Sequence, residues 1–442
     1  MLFTKLGLDP QIVRAVRDEG YETPTPIQAK AIPAIIEGRD LIGCAQTGTG
    51  KTAAFALPLL NRLRAGARGR LRALILTPTR ELAQQVAEFV KVYGRHLHLR
   101  SAVIYGGVGY GPQESALRRG VDILVATPGR LLDHMGRGNV NFKNLEVLIL
   151  DEADRMLDMG FIRDLRRIIK AIPARRQTLL FSATMPDEIR RLSKEILCDP
   201  ISVEVAPRRA APAQGVRQAL LPVTTARKRD LLAHLVENEA KGQTLVFTRT
   251  KHGANKLARH LERRGHGVAV LHGNRSQAQR TRALDAFKKK RARLMVATDI
   301  AGRGIDVDGI THVVNYDLPQ VPEDYVHRIG RTARAGATGD ALSLVCPEDR
   351  KLVRAIESLI GCSIERRSVL DFAVGADAPP RSPAGNGRRF QKRSGSGQGG
   401  QRPAKRRSFG TRSKQNTGSG KVLPSPKVVS GWRGRASRRR AV

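Results

Sequence analysis

Short apolar runs separated by amphipathic stretches recur along the chain. In the first half, residues 40–44, 73–77, 103–105, 123–126, 147–150 and 178–181 are β-rich and mostly apolar rather than alternating. That is the pattern of strands buried on both faces. Helical patterns lie between them. Asp9 and Pro10 open one, with Ile12, Val13 and Val16 on one face and Gly20 as its stop; another covers 53–60, and a third begins at Glu81. Residues 206–215 carry two prolines and no apolar period, so they read as a linker. The alternation then resumes, with strands at 245–248, 268–271, 294–297, 312–315 and 341–345. This predicts two α/β domains with mostly parallel sheets covered by helices, at 1–205 and 216–372, joined by the 206–215 linker. Ligands are expected at the carboxyl ends of such strands.

Residues 373–442 have no such pattern and are rich in Gly, Ser and Arg, so a disordered tail is expected. After Asp377 there is no acidic residue, while 378–442 contain 18 Lys and Arg. The clusters Lys405-Arg406-Arg407 and Arg438-Arg439-Arg440, with Phe390, Phe409 and Trp432 interspersed, suit nonspecific contact with nucleic acid. The full 442-residue chain has a formal charge of +38, which points to a polyanionic partner. No long apolar span or signal-like start competes in favour of a membrane. The four cysteines, Cys44, Cys198, Cys346 and Cys362, form no CxxC pair and read as thiols of a reducing, cytoplasmic setting.

Candidate chemistry enters at Ala45, Gln46, Thr47, Gly48, Thr49, Gly50, Lys51 and Thr52, between an expected strand and an expected helix. They fit the phosphate-loop pattern GxxxxGK[ST], with Ala45 replacing the leading Gly. Gly48 and Gly50 let backbone N–H groups turn inward on phosphate oxygens, and the helix N-terminus favours anions. Lys51 is expected at the β- and γ-phosphates of ATP, with the Thr52 hydroxyl on Mg²⁺. Upstream, Tyr21 offers a flat face and Gln28 both a donor and an acceptor, a combination that suits adenine. The apolar run 147–150 ends in Asp151-Glu152-Ala153-Asp154. Asp151 there suits Mg²⁺, and Glu152 suits a base that takes a proton from the attacking water. The second half has no phosphate loop but carries Arg328, Arg331 and Arg334 at short spacing, which suits arginines delivered to the γ-phosphate across an interdomain cleft.

With these residues in one order, the chain resembles the DEAD-box RNA helicases of superfamily 2 over about residues 2–372. The stretches that carry the resemblance are 21–28, 45–52, Pro78-Thr79-Arg80-Glu81-Leu82-Ala83, Gly106-Gly107, Thr127-Pro128-Gly129-Arg130, 151–154, Ser182-Ala183-Thr184, 297–306 and 327–336. The start and residues 335–340 look most like the bacterial RhlE-type branch. The resemblance implies two tandem RecA-like domains and an RNA-stimulated ATPase using ATP and Mg²⁺. It implies that Phe3 joins Tyr21 and Gln28 at adenine, that Asp299 and Asp306 complete the ATP site, and that Arg328 and Arg331 are the fingers. Ser182 and Thr184, bonded to Asp154, would link nucleotide state to RNA binding. Arg80, Gly107, Thr127 and Arg130 would hold the RNA backbone on one side. Arg249, Gly273, Gln277, Arg280, Thr298 and Gly304 would hold it on the other. Ala333 stands where Gly is common in the family. The implied function is local, non-processive unwinding or remodelling of RNA duplexes and RNA–protein complexes by a monomer, with ribosomal precursors or the RNA-decay machinery as partners. A DNA-directed motor, and an ATP-gated RNA clamp or chaperone acting mainly through the basic tail, stand as alternatives.

Overall fold

A computed structural model describes residues 2–45, 48–205, 215–302, 307, 309–333 and 337–369. Seven strands form the first sheet: β1 (Leu41–Cys44), β2 (Ala73–Leu76), β3 (Ser101–Ile104), β4 (Ile123–Ala126), β5 (Val147–Leu150), β6 (Gln177–Ser182) and β7 (Ile201–Glu204). Seven more form the second: β8 (Val216–Pro222), β9 (Gln243–Phe247), β10 (Val268–Leu271), β11 (Leu294–Ala297), β12 (Ile310–Asn315), β13 (Gly339–Val345) and β14 (Glu365–Arg366). Both sheets are parallel throughout. Their orders are β3-β4-β2-β5-β6-β1-β7 and β10-β11-β9-β12-β13-β8-β14. With β8 counted as the first strand of its sheet, the second order repeats the first, so the two lobes share one topology.

The apolar runs divide between two layers with the period of two that a strand imposes. Ala73, Ile75, Ile123, Val125, Val147 and Ile149 face one core of the first lobe. Leu74, Leu76, Leu124, Ala126, Leu148 and Leu150 face the other. The second lobe repeats this, with Val246, Val296 and Val314 on one side and Leu245, Phe247, Met295, Ala297 and Val313 on the other. Helices cover both faces, and Phe55 from the helix Lys51–Leu63 meets Phe181 of β6 with ring centroids 5.3 Å apart. Among the described residues no helix is long and apolar enough to cross a membrane. Edge strand β7 alternates in exposure, and β8 mixes half-buried polar with apolar residues, so neither presents the continuous apolar signature of the central strands.

Candidate functional site

A cleft of about 470 Å³ lies at the carboxyl ends of β1 and β5. Phe3, Tyr21, Gln28, Gly48, Gly50, Lys51, Thr52, Asp151 and Glu152 line it from the first lobe, and Arg331 from the second. Tyr21 is more than half exposed and presents its ring, whereas Phe3 is buried. Thr25 and Pro26 start the helix Pro26–Ile36, and Gln28 Oε1 accepts the Thr25 N–H at 2.9 Å. Gln28 Nε2 donates to the Gly50 carbonyl at 3.1 Å, so the expected adenine reader also anchors the phosphate loop. One amide hydrogen and one lone pair remain for a base. Gly50 has φ +90°, and a Cβ there would collide with the Gln28 amide. Ala45 is buried and its N–H donates to the Ser182 carbonyl at 3.1 Å. It therefore continues the β1–β6 pairing and does not offer that N–H to phosphate, a correction to the expectation for Ala45. Gln46 and Thr47 lie outside the described residues.

Lys51 Nζ, Asp151 Oδ1 and Glu152 Oε2 accept or donate no hydrogen bond among the described residues, and Glu152 Oε2 has the Arg155 guanidinium at 3.5 Å. A buried ammonium and carboxylate oxygens left without hydrogen bonds are costly unless ligand groups complete them. With the Thr52 hydroxyl alongside, this donor set fits a magnesium triphosphate. Burial pushes the Asp151 carboxyl up to about 7, with Glu152 adding to the rise and Lys51 opposing it. Burial also works against the Glu152 carboxylate, but Arg155, Lys51 and Arg331 outweigh it and hold the group below its usual range. Glu152 sits at φ 53°, ψ 52° in the left-handed region. Such strain costs about 1–3 kcal/mol and clusters at functional sites.

Asp154 ties this centre to β6. Its Oδ2 accepts the N–H groups of Ala183 at 3.1 Å and Thr184 at 2.8 Å, and the Thr184 hydroxyl at 2.9 Å. Ser182 Oγ accepts the Asp154 N–H at 3.2 Å and donates to the Thr184 carbonyl at 2.7 Å. Asp154, Ser182 and Thr184 thus form one hydrogen-bonded unit.

A second constellation joins the lobes on the other half of each sheet. Thr79 caps the helix Arg80–Tyr93 by accepting the Leu82 N–H at 3.2 Å. Ser276 caps the helix Gln277–Lys288, reciprocally with Gln279. These two helix N-termini meet at Glu81. Its Oε2 takes Arg280 Nη2 at 2.7 Å and its Oε1 takes Gln277 Nε2 at 3.3 Å, all three side chains being buried. Arg80 reaches Gln277 Oε1 at 3.4 Å, and Gly107, at φ +82°, leaves room for the Arg80 guanidinium that a Cβ would hit.

Two family models match the chain: DEAD/DEAH box helicase over residues 25–192 and helicase conserved C-terminal domain over residues 227–336. The ATP-dependent RNA helicase CshA of Listeria monocytogenes is 45% identical over 355 residues, 80% of this chain and 68% of that protein. The DEAD-box ATP-dependent RNA helicase CshA of Geobacillus kaustophilus is 43% identical over 364 residues, 82% of this chain and 78% of that one. The chain belongs to the DEAD-box family of ATP-dependent RNA helicases. Among solved structures, S. cerevisiae Dbp5 bound to RNA and ADP BeF3 superposes with a TM-score of 0.77 at 32% identity, covering 83% of this chain and 95% of that one. Mss116p bound to ssRNA and AMP-PNP gives 0.77 at 27% identity, covering 84% and 80%. These likenesses bear out two RecA-like domains.

In this DEAD-box helicase one expected finger is misplaced. Arg328 grips both oxygens of Asp299, at 2.5 and 2.7 Å, and donates to Asn315 Oδ1 at 3.0 Å and the Asp317 carbonyl at 2.6 Å. It is 3% exposed and does not line the nucleotide cleft. Arg328 lies within the helix Pro322–Ile329 and faces the strand ends of its own lobe, whereas Arg331 lies past that helix and reaches the cleft. Asp299 is likewise the partner of Arg328 and not a wall of the cleft. Close spacing in sequence had suggested a common target, and the helix end separates them. Asp306 and Gly304 lie outside the described residues.

The residues expected on RNA follow strand ends: Arg80 after β2, Gly107 after β3, Thr127 and Arg130 after β4, Arg249 after β9, Gly273 after β10 and Thr298 after β11. Arg249 and Gly273 are exposed, while Thr127 and Thr298 are nearly covered. Gln277 and Arg280 are committed to Glu81, so they bridge the lobes. The sequence reading passed over Glu81. A buried acid at the second position of a helix, facing an Arg-bearing helix of the other lobe, carries no local signature.

Proposed function

We propose that this chain couples ATP hydrolysis to local strand separation in RNA by closing two lobes around nucleotide and RNA together. The carrying observation is that Lys51, Asp151 and Glu152 of the first lobe share one cleft with Arg331 of the second. Neither lobe alone assembles the set. Lys51 holds the terminal phosphates, and Glu152, kept ionised by Arg155, Lys51 and Arg331, accepts the proton of the attacking water. Thr52 and Asp151 would hold Mg²⁺, which would supply charge neutralisation at the phosphates. Arg331 stabilises the charge that grows on the transferred group, and only while the lobes are together. The Glu81–Arg280–Gln277 bridge forms in the same closed arrangement, and the Asp154–Ser182–Thr184 unit joins the two regions. Contacts drawn from both lobes favour one strand bent across the seam over a regular duplex. Directed at phosphates and sugars, they carry little sequence preference.

Ribosomal precursors or decaying messages as substrates, and monomeric action in the cytoplasm, belong to this proposal. The formal charge of +38 supports an RNA partner of this kind, and cross-linking to cellular RNA tests the substrates. The RhlE-type likeness of the first residues has no counterpart among the relatives named above, and the mechanism needs neither branch. The test of the central claim is Glu152→Gln. RNA-stimulated hydrolysis should fall at least about 10²-fold, the lower range of general-base effects, while ATP binding persists. Hydrolysis at the normal rate in this variant would remove Glu152 as the base.

A further inference from the structure

The helix Pro128–Gly136 carries a feature that the RNA reading above does not use. Arg130, Asp133, His134 and, at its C-cap, Arg137 follow the spacing of a single helix face. Tyr110, just ahead of the helix Gly111–Arg118, lies across that face. Its ring centre is 4.1 Å from the Arg130 guanidinium and 3.8 Å from that of Arg137. Its hydroxyl is 3.1 Å from Asp133 Oδ2, and His134 meets the ring edge-on with centroids 5.5 Å apart. Two guanidinium groups at van der Waals distance need one ring face each, so Tyr110 has no face left for a base. It is a spacer between two cations and not a stacking platform.

The two arginines differ in what they can still do. The Arg130 side chain is 6% exposed, and its Nη2 donates to the Val108 carbonyl at 3.0 Å. The Arg137 side chain is 51% exposed, with Glu114 Oε1 at 3.4 Å as its acidic neighbour. That carboxylate oxygen also accepts from Asn139 Nδ2 at 3.3 Å, which divides its hold. Arg137 is therefore a guanidinium held flat, with its outer side in solvent. The flexibility that an arginine gives up on binding is largely surrendered before any ligand arrives. Flanking one ring at 4.1 and 3.8 Å, the two guanidinium groups lie no more than about 8 Å apart.

We propose that Arg137, held on Tyr110, is a further contact for the phosphate backbone of RNA, continuing the line that Arg130 begins. Tyr110 is its positioning residue. The inference rests on the RNA reading of Arg80 and Arg130. The test uses the full chain, a single-stranded oligoribonucleotide and a nonhydrolysable ATP analogue, with affinity measured across a salt series. Arg137→Ala should weaken binding about 10-fold or more, the scale of one charge-assisted hydrogen bond. It should also lower the salt slope by about 0.7, the release expected from one phosphate of a single strand. Tyr110→Leu should reproduce most of the loss, Tyr110→Phe should retain affinity, and Arg137→Lys should fall between because its charge is no longer held flat. Arg80→Ala is the control for the underlying reading. If Arg80→Ala weakens binding and Arg137→Ala changes neither affinity nor slope, the inference is wrong and the RNA reading stands. If Arg80→Ala has no effect, the reading beneath it fails. A loss of affinity in Arg137→Ala at unchanged slope would exclude a phosphate and overturn the proposal.

Discussion

Removing the Glu81 carboxylate should uncouple the lobes while leaving each of them folded. Glu81 is 2% exposed and sits between Arg280 at 2.7 Å and Gln277 at 3.3 Å. Both partners belong to the other lobe, so the bridge exists only when the lobes are together. Breaking a buried ion pair by deleting one member costs about 3–5 kcal/mol, because the other charge stays buried without compensation. Here that penalty falls on closure and not on folding, since separated lobes return Arg280 to water. At about 1.4 kcal/mol per decade the closed fraction should fall by roughly two to three and a half orders of magnitude. Arg80 adds to the effect: burial and the neighbouring Arg280 already push its pKa down, and losing Glu81 leaves two guanidinium groups facing each other. RNA phosphates would restore part of the lost charge, so the measured change should lie toward the low end. The assay is energy transfer between dyes on the two lobes of Glu81→Ala, titrated with an ATP analogue at saturating RNA. Urea unfolding of the same protein reports on folding. A normal closed state would refute the reasoning, as would a loss of unfolding free energy equal to the loss of closure. A double-mutant cycle with Arg280→Met isolates the pair.

Arg331 and Arg328 should separate cleanly. Arg331→Ala is expected to lower turnover by about 10³–10⁵ with little change in ATP affinity. Arg328→Ala should instead destabilise the second lobe by about 3–5 kcal/mol by unpairing Asp299, read by urea unfolding; equal stability of the two variants would return Arg328 to the candidate fingers. Ala333 has φ 54°, a conformation that disfavours L-residues by about 1–2 kcal/mol. Ala333→Gly should be neutral or stabilising within about 1 kcal/mol, the gain being offset by a freer unfolded chain. Ala333→Val should be clearly destabilising, and a Val variant as stable as the parent would show that the turn adapts.

Much of the nucleotide site was legible because its residues are contiguous: a loop of eight residues, then two acids directly behind an apolar strand. The central strands were equally plain, since full burial on both faces leaves no polar residue to interrupt β2, β4 and β5. Strand β3 was placed two residues late at its start because exposed Ser101 opens it. Strands β7 and β8, near or at the sheet margin, were missed for a related reason: exposed positions dilute the apolar run. What no local pattern encodes is contact between distant segments. The Glu81–Arg280 bridge spans 199 positions, and the diversion of Arg328 to Asp299 depends on where a helix ends.

The strand order supplies what the motifs alone do not. In the first sheet the expected RNA residues follow β3, β4 and β2, one contiguous side, and the nucleotide residues follow β5 and β1, with the Ser182–Thr184 coupling residues after β6 between them. In the second sheet the RNA residues follow β10, β11 and β9, and Arg331 comes after β12, next in the order. Both sheets are divided at the same place, between their third and fourth strands. Because the lobes share one topology, facing their carboxyl edges together sets RNA half against RNA half and nucleotide half against nucleotide half. On the proposed function, two ligands of like charge would be held side by side without sharing a pocket, each needing both lobes. On the proposed function, cooperative binding is the expected outcome, since whichever ligand arrives first bears the cost of ordering the lobes for the second.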